Sequence, residues 1–246
     1  MNIGLLGFGV VGGGVWELAQ ENRALNVKKV LVRREAPSLG KAAVQDVEAI
    51  LRDTEIDTVV EVLGGLHPAY EWICRALAAG KDVVTANKAV ISAYYRELTA
   101  LARENGVALR CTAAVGGGIP WLVNLQRCRR VDTVTEVGGI MNGTTNFIMD
   151  AMARQGADFP AVLQRAQELG YAEADPSADI DGDDIRRKLT ISANIAFDAL
   201  LREEDIPAFG IRTVTGADVA DFRAHGFTCK LLACAQRTET GVAAYV

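Results

Sequence analysis

Histidine is nearly missing from this sequence. Of 246 residues only two are His, His67 and His225. Neither has a neighbour at metal-ligand spacing, which argues against a zinc centre and against a Ser-His-Asp hydrolase. Cysteine is also sparse: Cys74, Cys111, Cys128, Cys229 and Cys234 form an odd set without a CxxC pair. That argues against a secreted disulfide framework and for a reducing cytoplasm. No apolar run approaches the roughly 20 residues that cross a bilayer, and "MNIGLLGFGV" has no basic segment before it, so neither a membrane span nor a signal peptide is expected. Basic runs are absent too, and the net charge of -5 speaks against a nucleic-acid partner. With 6 Pro, 24 Gly and half its residues hydrophobic, the chain has globular composition and enough length for one large or two modest domains.

What is present alternates. "NIGLLG" reads as a buried strand, followed by a helix over 10–23 and a second strand, "VKKVLVR". A short helical stretch "VQDVEAILRD" leads to the strand "DTVVEVLGG". A helix over 67–80 stops at Gly80, "KDVVTA" is a strand, a helix over 89–105 is closed by Gly106, and "VALRCTAAV" reads as a strand. Strand and helix in turn with short connections predict a parallel sheet covered on both faces. Beyond about residue 130 the pattern changes. "VDTVTEVGGI" reads as a strand, and helices follow over 144–155 and 160–169, the latter with a stripe of Phe159, Val162, Leu163, Ala166 and Leu169. Another helix opens near Asp183, and "FTCKLLACAQRT" suggests a late strand. The expected division is therefore 1–130 and 131–246: a doubly wound α/β domain, then an α+β domain.

The first motif with chemistry is "GFGVVG", in which Gly7, Gly9 and Gly12 follow a strand and open a helix. Glycine at these positions allows a tight turn, close approach of backbone to a pyrophosphate, and close helix–strand packing. Val10 and Val11 complete the helix start, whose free N–H groups favour an anion. The end of the second strand carries Arg33 and Arg34 where an NAD-binding chain has an acid. Guanidinium groups pair with a 2′-phosphate, so NADP is favoured over NAD. A bound NADP makes hydride transfer the leading chemistry. The oxygen that develops charge then needs a cation, for which Lys88 in "TANK" and Lys188 are candidates.

Lys188 ends an unusual stretch, "ADIDGDDIRRK", residues 178–188. Aligned as a calcium loop on Gly182, it has Lys188 where the bidentate glutamate belongs, so that reading fails. Two others stay level. Asp181 to Asp184 suit a helix N-terminus, with Asp184 and Lys188 as an i,i+4 pair worth about 0.3–0.5 kcal/mol if exposed. An acid and a lysine one turn apart can equally hold a substrate hydroxyl and relay its proton.

"GFGVVG", "TANK", "AAVGGGIP", "GIMNGTTNFIM" and "GYAEADPSADIDGDDIRRKLTI", in this order, together resemble homoserine dehydrogenase, and "HGFTCKLLA" is similar to that family's late strand. The resemblance implies a Rossmann-type domain, a substrate domain with a mixed sheet, and a homodimer. It implies NAD(P)-dependent interconversion of L-homoserine and L-aspartate 4-semialdehyde, in threonine, methionine and isoleucine biosynthesis. By position, Asp184 and Lys188 match the family's catalytic pair and Lys88 its other active-site lysine. Glu173 and Asp179 match acids that contact the substrate, with Tyr171 close by. Asn142, Gly143 and Thr144 match the loop flanking substrate and nicotinamide. Lys188 is the expected proton donor to the aldehyde oxygen.

Two departures stand out. The family's cation-binding Glu is replaced by Thr112, leaving only the carbonyls of Val115, Gly117 and Ile119 for a monovalent cation. The family pattern also continues past Val246, so an incomplete substrate domain is expected, and threonine feedback is not implied. Two alternatives keep the glycine fingerprint. One is another NADP-linked dehydrogenase of a small amino or aldehyde acid. The other is a silent dinucleotide-binding module that binds without turnover.

Overall fold

The computed structural model describes residues 1–34 and 36–246. They form two compact units, Met1–Trp121 and Leu122–Val246. The division falls after the first residue of the helix Trp121–Cys128, where a division near residue 130 was expected.

The first unit runs β1 (Asn2–Leu6), α1 (Val10–Glu21), β2 (Asn26–Leu31), β3 (Ala43–Val44), α2 (Glu48–Leu51), β4 (Thr58–Glu61), α3 (Ala69–Ala78), β5 (Asp82–Thr85), α4 (Lys88–Glu104) and β6 (Leu109–Arg110). Its six strands are parallel, in the order β3-β2-β1-β4-β5-β6. This is the Rossmann order, with the connection reversing between β1 and β4. Strands buried on both faces read as continuous apolar runs, and Ile3, Leu5 and Leu6 in β1 are at most 2 % exposed. Ile3 and Leu5 pack with Val27, Val30, Val60 and Ala19 of α1. Helix α1 stops two residues before the expected end because Asn22 turns extended and accepts the Ala24 N–H on its side chain at 3.0 Å. Gly80 (φ +74) and Gly106 (φ +67) close α3 and α4 in the left-handed region, where a side chain is disfavoured. The strand expected over 107–115 shrinks to two residues: β6 is an edge strand paired only with β5, and Thr112–Ala114 folds into a 3-10 turn.

The second unit runs α5 (Trp121–Cys128, of which only the first residue belongs to the first unit), β7 (Glu136–Gly139), α6 (Gly143–Gln155), α7 (Phe159–Glu168), α8 (Ser177–Ile180), α9 (Asp183–Phe197), α10 (Gly216–Ala224), β8 (Ala233–Thr238) and β9 (Gly241–Tyr245). Strands β7, β8 and β9 pair antiparallel throughout, where the resemblance implied a mixed sheet. Its core centres on α9, whose Ile185, Leu189, Ile191, Ile195 and Phe197 are buried. On α7 the expected stripe buries Phe159, Val162 and Ala166, while Leu169, past the helix end, is 55 % exposed. The late strand begins only at Ala233; the segment before it is irregular and is tied down by Lys230 Nζ donating to Asn146 Oδ1 at 2.7 Å. Among the described residues no helix is long and apolar enough to cross a membrane.

Candidate active site

In the first unit the glycine turn links β1 to α1. Gly7 has φ +106, a region that favours glycine. A Cβ on Gly12 would lie 2.3 Å from the Gly7 carbonyl oxygen, so this position admits no side chain. Gly9 differs: a Cβ there meets nothing within 4 Å. Its openness leaves room for a ligand rather than for packing. Gly9 is also the N-cap of α1, without a side-chain cap and without an acid in the first turn. The dipole end and its N–H groups are thus left for an anion. Val10 and Val11 stand 96 % and 55 % exposed beside it. A cleft of ≈ 890 Å³ extends from Gly7 and Gly9 to Arg33 and Arg34, with Trp72 on its wall. These residues fit a dinucleotide.

At the carboxyl ends of β4 and β5, Glu61 is wholly buried. It accepts from Leu63 N–H (2.8 Å), Thr85 Oγ1 (2.6 Å) and Asn87 Nδ2 (3.2 Å). Asn87 also donates to the Gly65 carbonyl at 2.8 Å, and its Oδ1 caps α4 by accepting Val90 N–H at 3.3 Å. Lys88 is therefore the first residue of a helix whose start is fixed by a buried carboxylate. The family motif drew attention to Lys88; Glu61, inside an apolar strand, was missed. A charged residue within a run of Val was the one available signal.

In the second unit the structure brings together Asn142, Asp179, Asp184 and Lys188. Lys188 Nζ lies 2.8 Å from Asp184 Oδ2 and donates to the Met141 carbonyl at 2.6 Å. The two side chains are only 18 % and 12 % exposed, so the estimate for an exposed pair does not apply. Removing one partner of a buried pair costs about 3–5 kcal/mol. Asn142 Nδ2 donates to Asp179 Oδ1 (2.7 Å) and Asp184 Oδ2 (2.9 Å). Its Oδ1 accepts Thr145 N–H at 2.8 Å, capping α6. That bond fixes which way the amide faces, since the reverse would set its oxygen against two carboxylates. Two of the three Lys188 protons have partners among the described residues.

The expected carboxylate cap on α9 does not form. Gly182, at φ +90, holds the N-cap position with no side-chain cap. Asp181 pairs instead with Arg212, and Asp183 with Arg186 at 2.6 Å. The Arg212 guanidinium holds the Asp181 carboxyl below the usual range. Thr144 Oγ1 donates to the Tyr171 carbonyl at 2.7 Å, and the Tyr171 ring stacks on Phe147 with centroids 4.5 Å apart. Gly143 begins α6, with open space where a Cβ would stand. Glu173 is exposed between α7 and α8, and among the described residues no hydrogen bond or ion pair joins its carboxylate to the Asp184 set. Val115, Gly117 and Ile119 lie in a glycine turn where the Ile119 carbonyl already accepts Trp121 N–H at 2.8 Å. With Thr112 neutral, and no group of three or more His, Cys, Asp or Glu placed to hold a metal among the described residues, this turn offers only neutral oxygens.

The family model described as "Homoserine dehydrogenase, NAD binding domain" matches residues 7–112, and the one described as "Homoserine dehydrogenase" matches residues 120–246. The chain belongs to the homoserine dehydrogenase family. It is 44 % identical to the homoserine dehydrogenase of Synechocystis sp. over 96 % of this chain and 57 % of that protein, and 40 % identical to that of Pseudomonas aeruginosa over 98 % and 58 %. The crystal structure of a homoserine dehydrogenase from Thiobacillus denitrificans superposes with a TM-score of 0.93 at 40 % identity, covering 100 % of this chain and 60 % of that one. The chain thus spans under two thirds of the length of these homoserine dehydrogenases.

Proposed function

We propose that this chain interconverts L-homoserine and L-aspartate 4-semialdehyde by hydride transfer, with NADP as the favoured nucleotide and NAD as the alternative. The observation that carries this reading is the buried Asp184–Lys188 pair, bridged by Asn142 to Asp179. When bound, the nicotinamide supplies or accepts the hydride. The first unit's residues have matching roles. Gly7, Gly9 and Gly12, with Val10 and Val11, form the pyrophosphate cradle; Arg33 and Arg34 pair with a 2′-phosphate.

The second unit holds the proton. Asp184 and the Met141 carbonyl fix the Lys188 ammonium, which turns its remaining N–H to the substrate oxygen. As that oxygen gains negative charge in aldehyde reduction, the ammonium stabilises it and passes the proton on. Lys88 is the second lysine of this chemistry. Asp179 and Glu173 bind the substrate's ammonium, with Tyr171, Gly143 and Thr144 lining the same loop region. No step runs through a monovalent cation. A cytoplasmic location and a homodimer complete the reading; the five unpaired cysteines support the first.

The test follows absorbance at 340 nm with L-homoserine and NADP, then NAD. Homoserine-dependent reduction by the wild type, lost in Lys188→Ala, is the expected result. A wild type that binds NADPH in calorimetry yet shows no turnover with either nucleotide overturns it, in favour of a silent dinucleotide-binding module.

A further inference from the structure

We infer that the segment Pro207–Arg212 is a positioning strap for the aspartate-bearing turn between α8 and α9. This rests on the proposed role of Asp179, Asp184 and Lys188. Helix α8 is a single turn of 4 residues, and α9 starts at a glycine without a side-chain cap. The turn Asp181–Gly182 between the elements that carry Asp179 and Asp184 therefore has no side-chain cap of its own, and contacts from outside it help to set its position.

The strap does this by close backbone apposition. A Cβ on Gly210 would lie 2.1 Å from the Ile180 carbonyl oxygen and 2.6 Å from Asp181 Cα, atoms that cannot move aside as a flexible side chain would. Ile211 N–H donates to that Ile180 carbonyl at 2.8 Å. Arg212 then grips Asp181 with two parallel bonds, Nε to Oδ1 at 2.8 Å and Nη2 to Oδ2 at 2.7 Å. A Cβ at Gly182 would meet Val246 Cγ1 at 3.4 Å, Ala208 Cβ at 3.6 Å and Gly210 Cα at 3.9 Å, so the strap lies against this glycine as well. The Arg212–Asp181 pair is about half exposed and contributes modestly. The larger share of the hold belongs to Gly210, where any side chain would push the turn away. Residues 207–212 touch neither lysine by any hydrogen bond among the described residues; they act through the turn.

The test is hydrogen exchange of the amides in 179–186, where Gly182 and Arg186 N–H are bonded to Asp179 and Gly182 carbonyls, together with steady-state kinetics. Gly210→Ala is expected to speed exchange there by about tenfold or more. Arg212→Ala is expected to give about two- to fivefold, with Arg212→Lys between it and wild type. Peptides of α6 and α7 and the Kd for NADPH should stay unchanged. In turnover the homoserine KM should rise and kcat fall while the KM for nucleotide holds. Unchanged exchange over 179–186 in both Gly210→Ala and Arg212→Ala overturns the strap. So does loss of protection spread equally over α6 and α7, which marks general destabilisation. If the wild type shows no turnover, the proposed activity fails, while exchange still decides the strap.

Discussion

Asn87 in the first unit and Asn142 in the second are built alike. Each caps a helix through Oδ1, on Val90 N–H and Thr145 N–H, and each turns Nδ2 to carboxylate: Glu61 in one case, Asp179 and Asp184 in the other. What faces the carboxylate differs. Glu61 accepts from the neutral donors Leu63 N–H, Thr85 Oγ1 and Asn87 Nδ2, whereas Asp184 meets the Lys188 ammonium. On the proposed function, the buried acid with neutral donors on each oxygen is a structural fixture, and the one paired with a lysine belongs to the site. The same helix-capping device serves, on that proposed function, scaffold in one unit and chemistry in the other.

The contrast breaks most visibly at the lysine. Lys188→Ala should lower kcat by about 10²–10⁴-fold, and by taking the ammonium away from the buried Asp184 carboxylate it should lower stability by about 3–5 kcal/mol in urea titration. Glu61→Gln should instead cost about 1–3 kcal/mol, because one amide hydrogen replaces an acceptor facing a donor. If Glu61→Gln abolishes turnover at unchanged stability, the division between fixture and site is wrong. Asn142→Ala and Asn87→Ala each remove a cap worth about 1 kcal/mol and leave carboxylate oxygens short of a donor. Asn142→Asp should be worse than Asn142→Ala at pH 8 and recover towards pH 5, since three clustered carboxylates raise one another's pKa and destabilise when ionised. Equal urea midpoints at the two pH values would remove the carboxylate-bridging role.

The glycine turn sharpens the comparison between packing and binding. Gly12→Ala should impair both folding and NADPH affinity, because its Cβ meets the Gly7 oxygen at 2.3 Å. Gly9→Ala, with open space around it, should leave urea stability within about 1 kcal/mol yet weaken NADPH binding in calorimetry. A smaller effect follows from Arg212. Asp181 has a folded pKa below its unfolded one, so the pair stabilises above about pH 4 and the contribution is lost as pH falls through the folded value. The stability difference between wild type and Arg212→Ala should therefore shrink towards pH 3; a constant difference would point to packing alone. Smallest of all, exposed Cys128 should react with a thiol reagent well before Cys111, whose buried thiol is pushed up to about 12.

The sequence made the α/β alternation legible because its signals are local: apolar runs for β1 and β4, a glycine fingerprint between β1 and α1, and glycine stops at Gly80 and Gly106. The acid–lysine pair was legible by its i,i+4 spacing, though spacing could not tell burial from exposure. What escaped depends on distant partners. Glu61 meets Thr85 and Asn87 across strands, and Asp181 meets Arg212 from 31 residues away. Strand β3 has only two residues, too few for any period. Helix α10 carried a readable signal that went unused: Thr215 and Asp218 form a capping box at its start.

The placement of Trp72 on the wall of the nucleotide cleft has an optical consequence. Reduced nicotinamide absorbs where indole emits, so a nucleotide seated there drains the emission of this ring by energy transfer. With three tryptophans in the chain, Trp16, Trp72 and Trp121, the intrinsic spectrum becomes a gauge of occupancy that needs neither substrate nor turnover. A Trp72→Phe variant would dim that gauge while leaving the other two indoles as its baseline.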